Sequence, residues 1–132
     1  QTPEGHAFDR ALGRAAIRLA VRRHAGTRET VYTAHGPVQV QRGKDLTGFA
    51  TVIGTGGVLD GGDDAHTLLG AALADPARPG ELCPTAPRCF VDRDYLLYGC
   101  GLLAGVEPKA AYGLASSSLH EAIHPSERRA HA

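Results

Sequence analysis

The chain has no methionine and no tryptophan, only three phenylalanines and four tyrosines, and just two lysines, Lys44 and Lys109. Arginine fills the other basic positions, and the formal charge is zero at neutral pH. A neutral chain sets up no long-range field for nucleic acid or for an acidic substrate. No apolar run reaches the roughly 20 residues a membrane-crossing helix needs, and no leader pattern stands at the start, so no membrane partner is expected. Cysteine is scarce too. Cys83, Cys89 and Cys100 are odd in number and form no Cys-x-x-Cys pair, which argues against structural zinc and a disulfide framework. A reduced, cytoplasmic setting is the expectation. With no methionine and Gln1 in first place, the chain reads as a processed product or an excised fragment. At 132 residues it is long enough for one domain with a modest core.

The informative stretch is Thr51-Val52-Ile53-Gly54-Thr55-Gly56-Gly57-Val58-Leu59. Three β-formers run into three closely spaced glycines, which reads as a buried central strand ending in a tight turn. Glycine there lets the backbone take positive φ and lets a ligand come close. Asp63 and Asp64 follow as candidate caps of a helix over residues 65–74. Strand, glycine turn and helix in that order is a frequent nucleotide-site arrangement. Neither standard phosphate cradle is present, however. The dinucleotide fingerprint would need glycine where Leu59 stands, and Gly43-Lys44 is followed by Asp45 rather than Ser or Thr.

Phe8, Leu12, Ala15, Ala16 and Leu19 recur at helical spacing and predict an amphipathic helix over 8–24, with Gly26 as its C-cap. Its other face carries Arg10, Arg14, Arg18 and Arg22, read as a solvated stripe or as a docking face for an acidic partner. Thr30–Thr33 and Val38–Gln41 predict a hairpin turning at residues 34–37. In the polar loop 43–48, Lys44 could meet a phosphate and Asp45 could act as a cap. Residues 76–89 hold four prolines and read as a spacer. Asp92 predicts the N-cap of a helix through Leu103 in which Gly99 and Gly101 each cost about 1 kcal/mol relative to alanine. Small residues at that cost point to close packing on a neighbour. Pro108 opens a last helix, in which Ser116–Ser118 form a polar face, and Pro125 ends it.

His120-Glu121-Ala122-Ile123-His124 matches the zinc-hydrolase pattern. On a helix His120 and His124 would share a face for the metal, with Glu121 as general base. Pro125 directly after it and the lack of a third ligand at the usual spacing weigh against this alternative. The remainder, 120–132, reads as a helix end and a flexible tail.

Several blocks, taken in order, resemble one family. They are Arg23-His24-Ala25-Gly26, Val31-Tyr32-Thr33, Gly43-Lys44-Asp45-Leu46-Thr47-Gly48, Val52–Leu59, and Asp92-Arg93-Asp94-Tyr95 leading to Gly101-Leu102-Leu103. They are similar to the C-terminal part of the MutL proteins associated with glutamate mutase, actin-like ATPases distinct from the mismatch-repair protein of the same name. The resemblance covers residues 8–119.

It implies an α/β chain that is the C-terminal lobe of an actin-like, Hsp70-like (ribonuclease H-like) fold. Such a lobe has a small sheet, including the hairpin and the central strand, under three or four helices. It also implies that Gly54, Thr55, Gly56 and Gly57 face the nucleoside of ATP, and that the helix 93–104 lies near the lobe hinge. ATP and Mg²⁺ would be cofactors of the complete protein. Its partners would be a B12-dependent mutase, served as a chaperone or reactivating factor, and the remaining lobe. No Asp-x-Gly-x-Thr phosphate loop occurs here. The expectation is therefore an adenosine half-site with no catalytic residue and no bound cofactor of its own, on a chain able to pair with a second copy.

Overall fold

In a computed structural model, residues 2–59 and 64–122 are described. Helix α1 spans Pro3–His24 and begins earlier than the periodicity predicts, because Thr2 caps it through the Gly5 amide and Pro3 sits at its first turn. Strands β1 (Thr27–Thr33) and β2 (Gly36–Arg42) form the expected hairpin, with Gly36 at φ 111° closing a two-residue turn. Strand β3 (Thr51–Gly54) precedes α2 (Ala65–Leu69) and a 3₁₀ turn (Gly70–Ala72). Then come β4 (Arg88–Asp92), α3 (Leu97–Leu103), α4 (Pro108–Ser118) and β5 (Leu119–Glu121). Among the described residues there are four α-helices, and none is long and apolar enough to cross a membrane.

The chain is thus α/β, with small sheets, and the arrangement of the strands departs from expectation. The hairpin is a two-stranded sheet by itself and does not join β3. The second sheet has the order β3-β4-β5, so β3 is an edge and β4 is central. Strand β4 lies partly in the stretch read as spacer, since Pro87 hides a short β run, Arg88-Cys89-Phe90-Val91. It pairs parallel to β3 and antiparallel to β5.

The core is Leu59, Leu68, Leu69 and Val91, with Ile17 and Val52 packed against it. Helix α1 presents the opposite face from the one its apolar stripe predicts. Gly13 is buried and Ile17 half-buried, whereas Phe8, Leu12 and Leu19 are 68%, 59% and 48% exposed. The arginine stripe reaches along its own chain instead. Arg10 pairs with Asp64 at 2.7 Å, Arg18 with Asp75 at 3.7 Å and Arg22 with Glu81 at 2.5 Å. These pairs link the helix to the start of α2 and the loop after it, while Arg10, Arg14 and Arg18 stay exposed, as the solvated-stripe reading expects. Gly26 lies one residue past the C-cap, Ala25, and is buried where its amide meets the Lys44 carbonyl and its carbonyl meets the Leu82 amide.

Candidate functional site

Strands β3 and β4 run parallel, with Gly54 opposite Val91, so both deliver their carboxyl ends to one edge of the sheet. That edge is where open α/β sheets place ligands. Two loops leave it, the glycine turn after Gly54 and the segment from Asp92 to α3.

Within the glycine turn the residues have different tasks. A methyl group built on Gly54 would lie 2.6 Å from both Leu59 Cδ1 and Leu69 Cδ2, so this glycine is required by core packing and is buried. Gly56 has φ 112° with open space beside it, and Gly57 is exposed with nothing within 4 Å of a built methyl. The turn is closed by the Leu59 amide donating to the Gly56 carbonyl at 2.9 Å. Helix α1 backs it, since a methyl on Gly13 would meet Val58 Cγ2 at 2.7 Å. The Thr55 hydroxyl commits its proton to Asp92, donating to Oδ2 at 3.0 Å. The open backbone of the turn is thus Gly56 and Gly57.

Asp92 is the hub of this edge. It ends β4, is 3% exposed, and accepts from Thr55, from the Leu96 and Leu97 amides at 3.0 Å each, and from the Ser118 hydroxyl. Burial by itself pushes the carboxyl up, but the bonds from Ser118, Leu97, Leu96 and Thr55 outweigh it and hold the group below the usual carboxylate range. Ser118, fully buried, also accepts from the Asp94 amide at 3.1 Å. Ser118 belongs to no exposed polar face, then. Asp92 is not the N-cap the sequence predicts: α3 starts only at Leu97, with Leu96 in the cap position, and Asp92 reaches the Leu96 and Leu97 amides from four and five residues upstream. The residues between include Tyr95, 60% exposed and the one described non-glycine residue at positive φ, 53°. The sequence carries no signal for that backbone conformation, nor for Asp92 and Ser118 meeting across 26 positions.

Lys44 stands elsewhere. Its ammonium is 3.3 Å from His24 Nε2, and no hydrogen bond or ion pair joins it to the glycine turn among the described residues. Asp45 does cap locally, accepting from the Thr47 amide at 2.9 Å and its hydroxyl at 2.6 Å; with Arg28 beside it, these bonds lower its pKa. Gly99 and Gly101 have open space where a side chain would be, so the expected close packing is absent within the described chain.

The helix that the His-Glu-x-x-His reading needs ends at Ser118. His120 and Glu121 lie in β5, where successive side chains point to opposite faces. Glu121 accepts from Arg88 Nε and Nη2 at 2.9 Å each, which holds its carboxyl below the usual range. His124, Asp60, Gly61, Gly62 and Asp63 lie outside the described residues. Among the described residues, no group of three or more His, Cys, Asp and Glu side chains could hold a metal ion.

These elements define an α/β unit with an open glycine turn at the carboxyl edge of a parallel strand pair. The family model for MutL protein matches residues 1–119, and the chain belongs to that family. It is 39% identical over 111 residues to Protein MutL of Clostridium tetanomorphum, a match covering 84% of this chain and 24% of that protein. The chain thus spans about a quarter of the length of the curated relative it matches. No solved structure matches it.

Proposed function

We propose that this chain forms the adenosine-facing part of an actin-like ATPase lobe, within a protein that acts as a chaperone or reactivating factor for a cytoplasmic B12-dependent mutase. The observation that carries this reading is the open backbone of Gly56–Gly57 at the carboxyl end of β3. Family membership and the glycine turn's place in the matched region support it. Among the described residues, this edge offers open backbone for a nucleoside and no cluster for a metal. Asp92, the buried carboxylate of this edge among the described residues, is committed to four donors and has little capacity left for Mg²⁺. The Mg²⁺ and phosphate groups of hydrolysis therefore fall to the remaining lobe, and this chain alone should bind without hydrolysing.

Calorimetric titration with adenosine and with ATP, each with and without Mg²⁺, tests the reading. Weak binding of similar strength for both ligands, indifferent to Mg²⁺, is the expected result. ATP bound far more tightly than adenosine and only with Mg²⁺ would refute the half-site. Binding of neither ligand would refute the nucleotide reading for this chain.

A further inference from the structure

Tyr95 combines two features that packing does not explain. Its φ of 53° places a bulky residue in the left-handed region, where glycine and asparagine are the usual occupants. The residue is 60% exposed and is not among those packed against the core, so core packing does not hold it there. The backbone is kept in this conformation from outside, by Asp92. The Asp92 carbonyl accepts from the Tyr95 amide, and its carboxylate accepts from the next two amides, those of Leu96 and Leu97. The same carboxylate bonds Thr55, the residue before the open Gly56–Gly57 turn. One buried group therefore fixes the base of both loops at the sheet edge. Strain of this kind concentrates at ligand sites, where the surrounding structure over-determines it.

We propose that Tyr95 is a ligand-contacting residue of this edge, its ring stacking on the base of a purine nucleoside whose other side meets the Gly56–Gly57 backbone. This rests on the nucleotide reading above. An aromatic face is the chemistry that receives a base without demanding a particular hydrogen-bond pattern. Asp92 is the corresponding positioning residue, because it sets the two loops without itself meeting the ligand.

The test uses the 132-residue chain with adenosine as the probe. Tyr95→Phe should bind within about twofold of the parent, because the face is retained. Tyr95→Gly and Tyr95→Asn should bind about tenfold more weakly. Both should melt at the same temperature as the parent or higher, because each residue accepts positive φ at low cost. Weaker binding together with unreduced thermal stability is a pattern that a purely structural tyrosine cannot give. Parent-like adenosine binding by Tyr95→Gly would overturn the proposal while leaving the nucleotide reading intact. Lower melting temperatures for both variants would mark the ring as a structural prop and overturn it as well. If the parent binds no adenosine, the nucleotide reading falls and this proposal falls with it.

Discussion

Asp92 is held below the ordinary carboxylate range in the folded chain, so its charged form contributes stability wherever it is ionised. The group's folded pKa is depressed. Its contribution is therefore complete above the unfolded value of about 4 and is lost as pH falls through the folded value. Asp92→Asn should cost about 1–3 kcal/mol at neutral pH, since Thr55, Ser118 and two amides lose a charged acceptor. The deficit should shrink in acid, and urea unfolding at pH 7 and pH 3 reads both. An equal deficit at the two pH values would mean the charge contributes nothing. The glycines divide similarly. Gly54→Ala must push a methyl into Leu59 and Leu69 and should cost about 1–3 kcal/mol. Gly57→Ala has open space and should leave stability within about 0.5 kcal/mol of the parent. A large loss from Gly57→Ala would place that position in the core rather than at an open turn. The glycine cluster was legible in the sequence as a turn. That Gly54 is needed for packing and Gly56 for its φ was not, because the distinction depends on which side chains arrive from α2 and residue 59.

At the scale of elements, α1 is the sharpest case. Its helical periodicity was readable, but which stripe faces inward was not. Apolar spacing assigns Phe8, Leu12 and Leu19 to the core, whereas the folded chain turns Gly13 and Ile17 inward and ties three arginines to Asp64, Asp75 and Glu81. Leu12→Glu should accordingly leave the unfolding free energy within about 0.5 kcal/mol of the parent. A loss of about 2–5 kcal/mol, as expected for a truncated or charged core leucine, would restore the periodicity's assignment. Strand β4 was missed for a different reason. Four prolines nearby mask a five-residue strand whose identity depends on pairing with β3 on one side and β5 on the other. The same pairing turned His120 and Glu121 from a helical motif into an edge strand, where Glu121 is engaged by Arg88.

For the whole molecule, Phe8, Leu12 and Leu19 leave an apolar stripe in solvent, and Tyr98, Leu102, Val106 and Tyr112 of the α3–α4 region are each at least two-thirds exposed. Apolar surface of that extent favours association. We expect the isolated chain to self-associate with concentration in sedimentation experiments, and Leu12→Glu to weaken the association. A monomer mass that stays constant with concentration would count against this.

The sequence by itself determined the local elements whose signals are local. These are the first helix, the hairpin, the strand entering the glycine turn, the local cap at Asp45, and the family to which the blocks belong. Spacing, turn chemistry and capping act over a few residues, so a linear reading captures them. Tertiary structure decided the rest, namely which strand is central, which face of α1 is covered, and which groups share the sheet edge. Each of those depends on residues far apart in the chain competing for one partner. The bond from Ser118 to Asp92 joins positions that no short-range pattern relates, and it is this contact, with Thr55, that fixes the site.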